Sequence, residues 1–220
     1  MVIHVHVVIA GGHGKIALRL ERLLSARGDS AIGLVRNPDH LDEVADTGAQ
    51  AVLCDLEQSD ISSVVDTLDR ADAVVFAAGA GPGSGAARKE SVDRAAAVLL
   101  ADAAVRAGVR RYLLVSSMGA DRADDPGIDP VFAAYLRAKK ASEEELRTKD
   151  LDWIALRPGS LTDDPGTGLI ELAPSVAAGA VPRDDVAAVL LELLDRPTLG
   201  GVTAELVGGR TPISTAVAGL

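Results

Sequence analysis

The stretch Ile3-His4-Val5-His6-Val7-Val8-Ile9-Ala10-Gly11-Gly12-His13-Gly14-Lys15-Ile16-Ala17 decides how this chain is read. Apolar residues run to Ala10, glycines interrupt them, and a helix-forming series follows. That is the order of a buried strand, a tight turn and a helix start. Gly11, Gly14 and Ala17 stand at i, i+3 and i+6. In a dinucleotide-binding βαβ unit the first such position lets the chain turn, the second lets backbone approach a pyrophosphate, and the third packs helix close to sheet. The helix then points its unpaired N–H groups and dipole at the anion. A mononucleotide loop competes, because Gly14-Lys15 resembles its end. That loop needs a Gly five residues before its Lys and a Ser or Thr after it. Ala10 and Ile16 stand there instead, and the competitor fails.

Composition narrows the partners. A chain of 220 residues, 48% hydrophobic and 25% charged, suits one domain spanning 1–220 with a sizeable core. The net charge of −10 and an aromatic content of 2% argue against nucleic acid, which needs clustered cations or stacking platforms. Cys54 is the single cysteine, so no internal disulfide or multi-cysteine metal site is available, and its Ala-Val-Leu-Cys setting predicts a buried thiol. No run reaches the roughly 18 apolar residues of a membrane span. A basic leader and a cleavage site are missing from the first residues, so a cytoplasmic location is expected.

Downstream, short apolar strands alternate with helices. Strands are expected at 30–36, 49–54, 73–78, 111–116 and 151–157. Helices are expected from about Lys15 to Gly28, from Pro38 to before Gly48, at 61–68, 88–107 and 131–148. A glycine-rich loop, 79–85, follows the fourth strand. The pattern predicts an α/β fold, a doubly wound parallel sheet of Rossmann type with helices on both faces. Ligands of such sheets sit at the carboxyl ends of the strands. Residues 158–182 are rich in Gly and Pro and read as irregular; Pro182 opens a helix to Leu194, and 202–207 reads as a last strand. Segments 158–182 and 200–220 are expected to form a small substrate-side cap.

The second strand ends Leu34-Val35-Arg36-Asn37, without the acid that binds the ribose 2′-hydroxyl in NAD readers. A guanidinium there suits a 2′-phosphate, so NADP is favoured over NAD. Asp39 and Asp42 could pair with Arg36 and blunt that preference. Asp55 is placed to accept from the adenine amino group, or else to cap the next helix. After the fifth strand, Ser116-Ser117 precede a helix with Tyr135 and Lys139 at i and i+4, on one face. An ammonium beside a phenol favours phenolate, and such a Tyr can exchange a proton with a carbonyl or alcohol oxygen during hydride transfer. Ser117 rather than Ser116 is the serine chosen for that oxygen. Tyr112 reads as core.

Several other residues read as structural. His4 and His6 alternate on a strand and lack a third ligand, so no metal is expected. Asp163 and Asp164 suggest an Asx turn, and Arg183-Asp184-Asp185 a helix-opening cap. Asp93 could face the crevice or water.

Taken together, these motifs resemble the short-chain dehydrogenase/reductase superfamily, in its atypical branch of small NAD(P)H-binding proteins near the NmrA-like and epimerase/dehydratase groups. The marks are 11–17, Leu-Val-Arg-Asn-Pro at 34–38, Cys-Asp-Leu at 54–56, Phe-Ala-Ala-Gly at 76–79, the run 107–120, Tyr-Leu-Arg-Ala-Lys at 135–139 and 156–168. The resemblance implies that Gly11, Gly12, His13, Gly14, Lys15 and Ile16 line the phosphates and Arg36 takes the 2′-phosphate. Asp55 and Leu56 would hold adenine, and Ala77, Ala78 and Gly79 the ribose and pyrophosphate. Ser116, Pro158 and Gly159 would lie toward the nicotinamide, with Lys139 on its ribose. Tyr135, Lys139 and Ser117 would be the catalytic set. His13 departs from the small residue or Thr usual in the turn. Three functions follow: an NADP-dependent oxidoreductase on a small carbonyl or alcohol, a non-catalytic cofactor-binding regulator, or an epimerase/dehydratase-like enzyme. The expected partner is a small-molecule substrate, with a monomer or homodimer and no membrane.

Overall fold

Strand β1 (His6–Ala10) is buried because the chain places helices on both of its faces. In this computed structural model, which describes residues 4–81 and 83–220, Val7 and Ile9 enter one core and Val8 and Ala10 the other. Ile3, the expected first residue of the strand, and Pro82 of the glycine-rich loop lie outside the described residues. The same two-residue period splits Val74 and Phe76 from Ala73 and Val75 in β4 (Ala73–Phe76), and Tyr112 and Leu114 from Leu113 and Val115 in β5 (Arg111–Val115). Two-sided burial is why these strands read as unbroken apolar runs.

The remaining parallel strands are β2 (Ser30–Val35), β3 (Gln50–Leu53), β6 (Asp152–Pro158) and β10 (Val202–Gly208). Their order is β3-β2-β1-β4-β5-β6-β10, so the chain reverses direction across the sheet between β1 and β4. A crevice opens at that reversal, beyond the strand ends. Helices α1 (Lys15–Arg27) and α7 (Arg183–Leu194) cover one face. The other face carries α3 (Ile61–Asp66), α5 (Ala97–Ala107) and α6 (Pro130–Arg147). Gly28 ends α1 in the left-handed conformation, as a C-terminal glycine should. The acidic segment after Pro38 is a 3₁₀ turn (Pro38–His40) followed by α2 (Leu41–Ala45).

Two expectations need correction. The helix read as 88–107 is not uniform: α4 (Ala86–Arg88) leads into a π-helical stretch, Lys89–Ala96, before α5. Residues 158–182 are not irregular throughout. β8 (Leu169–Ala173) pairs antiparallel with β10, and β11 (Thr211–Pro212) continues the edge before α8 (Ile213–Ala218). Ile170 is buried while Leu169 and Glu171 face water, so β8 is a half-buried strand near the sheet edge whose apolar signal is diluted by flanking Gly and Pro. β7 (Ser160–Thr162) and β9 (Ala180–Pro182) form a separate two-stranded sheet. Among the described residues, no helix is long and apolar enough to cross a membrane.

Candidate functional site

The glycine turn lies at the reversal point and is packed against backbone on two sides. Gly11 has φ +78°, and a Cβ there would lie 2.6 Å from Ala78 Cα. Gly12 donates its N–H to Leu34 O at 2.9 Å, and its Cβ would lie 2.7 Å from Gly33 Cα. Gly14 opens α1, and no side chain caps that helix. Its first amides are therefore available to an anion.

A cavity of about 240 Å³ runs along this turn. Gly11, His13, Gly14, Arg36, Asp55, Leu56, Ala77, Ala78 and Gly79 all line it, so most of the expected cofactor residues meet in one place. Arg36 does not pair with Asp39 or Asp42. Its Nη1 lies 3.3 Å from Glu57 Oε2, and Arg88 Nη2 donates to the same oxygen at 2.9 Å. Asp55 accepts from the Glu57 N–H at 3.0 Å, which shapes the turn; Asp60, not Asp55, caps α3. His13 stacks on His40 with ring centroids 3.5 Å apart, and its Nε2 meets Glu43 at 2.6 Å.

The rest of the expected cofactor set lies elsewhere. The side chain of Ile16 is buried in the α1–α7 core, so only its backbone can face the turn. Lys15 Nζ is held by Asp163 Oδ2 at 2.5 Å, and this contact holds the Asp163 carboxyl below the usual carboxylate range. Asp163 is thus an ion-pair partner rather than an Asx turn, and its other oxygen accepts from Arg183 Nη1 at 2.9 Å. Nor do Asp184 and Asp185 cap their own helix. They accept from the N–H groups of Gly166, Thr167 and Gly168 and so pin that loop.

Beyond β5 and β6 a second, larger cleft of about 960 Å³ opens. Ser116, Ser117, Tyr135, Pro158 and Gly159 line it. Ser116 Oγ donates to Glu143 Oε1 at 2.5 Å, and Arg157 donates to both oxygens of that carboxylate. The Ser116 proton is thereby committed, whereas Ser117 Oγ reaches only Met118 O at 3.2 Å. Tyr135 stacks on Phe132, with Lys89 Nζ at 5.2 Å and Lys139 Nζ at 5.8 Å from its ring centre. Lys139 lines neither cavity. It is buried, donating to Val115 O at 3.0 Å and facing Asp93 Oδ1 at 3.2 Å. Asp93 itself is fully buried and accepts from Ala80 N–H, which answers whether it faces water.

Comparison with known proteins fits this architecture. Residues 11–197 match the family model described as NAD(P)H-binding. The chain belongs to that family. This NAD(P)H-binding protein is 31% identical over 212 residues to the "Uncharacterized sugar epimerase YhfK" of Bacillus subtilis, covering 96% of this chain and 98% of that one. A Bacillus halodurans structure titled "Putative NAD-dependent epimerase/dehydratase" superimposes with a TM-score of 0.91 at 33% identity, over 98% and 100% of the two chains. The oxidoreductase ylbE of Lactococcus lactis gives 0.85 at 26% identity, over 98% and 96%.

Sequence reading missed His40, Glu57, Lys89 and Arg88, all at or beside the crevice. A signal existed for one of them: Arg88, Val92 and Ala96 recur every four residues and all line the first cavity. Tyr112 and Cys54 are buried as expected, and burial pushes both of their pKa values up. His6 Nδ1 bonds Ser30 Oγ at 2.7 Å, and no group of three or more metal-ligating side chains stands together among the described residues.

Proposed function

We propose that this NAD(P)H-binding protein is an NADP-dependent oxidoreductase that interconverts a small carbonyl compound and its alcohol. The observation that carries the reading is a pair of cavities at the carboxyl ends of the strands: one at the sheet reversal, glycine-walled and bordered by Arg36 and Arg88, the other beyond β5 and β6 and lined by Tyr135 and Ser117. Uncapped amides of α1 and the guanidinia of Arg36 and Arg88 suit the phosphates of a dinucleotide, with Arg36 on the 2′-phosphate. Asp55 and Leu56 would border adenine, and Ala77 to Gly79 the ribose and pyrophosphate. The bound cofactor supplies the hydride. Tyr135 would give its phenolic proton to the oxygen of the reduced carbonyl, leaving an alcohol and a phenolate, and Ser117 Oγ–H would orient that oxygen. Lys139 is a positioning residue that holds Tyr135's helix against the end of β5 through Val115 O.

A test couples NADPH oxidation across a panel of small aldehydes and ketones to Tyr135→Phe. The expected result is turnover lost in the variant while NADPH affinity stays within a few fold. Full activity in Tyr135→Phe would remove the assignment. One observation favours a second reading, a cofactor-binding regulator without turnover: the charge of Lys139 is already matched by Asp93. That reading expects unequal affinities for NADP and NADPH and no oxidation with any member of the panel.

A further inference from the structure

The second cleft carries a charge balance opposite to that of the chain. The protein has 32 acidic and 22 basic residues, yet the cleft is lined by two guanidinia, Arg122 and Arg183, and one carboxylate, Glu205. Glu205 is committed, because its Oε2 accepts from Val176 N–H at 3.0 Å. Neither arginine is saturated. Arg183 spends Nη1 on Asp163, and Arg122 spends Nε on Asp125 at 2.7 Å; their other nitrogens have no acceptor among the described residues. Asp163 is moreover divided among three cations, Lys15, Arg19 and Arg183, so it neutralises none of them fully.

Two large apolar side chains of the same wall are open to water. Phe132 is 49% exposed and Leu161 37%, and Phe132 stacks on Tyr135 with centroids 5.8 Å apart. Such side chains are left uncovered where a ligand with an apolar body docks. We propose that this cleft takes an aryl or conjugated carbonyl compound bearing a carboxylate, with Arg183 pairing the carboxylate and Arg122 supporting it. The apolar body lies against Phe132 and Leu161. The inference rests on reading this cleft as the substrate side. A guanidinium–carboxylate pair accounts for the selectivity, because its charge-assisted hydrogen bonds vanish when the anion is replaced by an amide.

The experiment titrates 2-naphthoate and 2-naphthamide into the full chain, with and without NADPH, by calorimetry. Naphthoate is expected to bind at least about tenfold more tightly than the amide, a difference of about 1.4 kcal/mol. In Arg183→Gln the preference should fall to about twofold or less, and in Arg122→Gln it should fall partway. Equal affinity of the two probes for the unaltered protein would overturn the inference, as would absence of naphthoate binding or a preference kept in the double variant. Oxidation of NADPH by 4-formylbenzoate is followed separately. A carboxylate preference without oxidation keeps the anion-binding cleft and removes the oxidoreductase reading. Oxidation without a carboxylate preference does the reverse.

Discussion

Lys139 Nζ and Asp93 Oδ1 face each other at 3.2 Å, with 3% of the lysine and none of the aspartate open to water. The pair ties four elements together: the π-helical stretch that carries Asp93, α6, the end of β5 through Val115 O, and the loop after β4 through Ala80 N–H. A π-helical stretch costs hydrogen-bond geometry and commonly marks a functional site. Here it brings a carboxylate beneath the crevice, with Asp93 Oδ1 3.2 Å from where a Cβ on Gly79 would stand.

Breaking this pair from one side leaves an uncompensated buried charge, which typically costs several kcal/mol. Asp93→Asn should therefore lower stability by about 3 kcal/mol, read from urea unfolding. Adding Lys139→Met should restore part of the loss, since the stranded ammonium is then gone. A cost below about 1 kcal/mol for the single change would mean that the two charges are not coupled in solution.

Glu57 organises the mouth of the first cavity by accepting from both Arg36 and Arg88. A bound 2′-phosphate would compete with it for Arg36. Glu57→Gln should therefore tighten NADPH binding about threefold to fivefold, the scale of a partly exposed ion pair, and leave NADH within about twofold. Arg36→Ala should act in the opposite direction and on NADPH alone. Raising salt should weaken NADPH more than NADH. Equal changes for the two cofactors, measured by calorimetry, would place the 2′-phosphate elsewhere.

What the sequence made legible follows from range of interaction. The turn at 11–17 and the strands of the parallel sheet are local patterns, with glycines at fixed offsets and apolar runs. The partners of charged residues are not local. Arg36 finds Glu57 across a crossover, and Lys15 finds Asp163 from 148 positions away. Asp39 and Asp42 lie nearer in sequence but point elsewhere, because Asn37 accepts from the Asp39 N–H and the chain turns into the 3₁₀ segment. The Tyr135–Lys139 spacing is visible in the sequence, but the pairing of Lys139 with Asp93 is not, since that approach depends on the π-helical stretch. Arg157, Glu143 and Ser116 form a buried network that no spacing announces, since it joins α6 to the ends of β5 and β6.

Glu21 offers the sharpest test of the packing behind the glycine turn. It lies on α1, fully buried, with one oxygen accepting from Thr47 Oγ1 at 3.2 Å and Oε1 without a partner. Gly12 and Gly33 make room for it; a Cβ on Gly33 would approach Oε1 to 2.7 Å. Burial raises its pKa from 4.5 to about 7, against the smaller opposing effects of Thr47 and Arg22. The folded state thus holds the proton more tightly than the unfolded chain. Its contribution to stability is complete below pH 4.5 and is lost as pH rises, reaching a plateau above about 7. The loss should amount to about 3 kcal/mol. Glu21→Gln keeps the shape without the titration, so its stability relative to the parent should improve by that amount between pH 4.5 and pH 8 in urea unfolding. Carboxylates held low by cations, such as Asp163 and Asp184, titrate with the opposite sign but equally in both proteins, and cancel from the difference. A difference that stays flat across that range would mean that water reaches Glu21 and that the wall behind the turn is open.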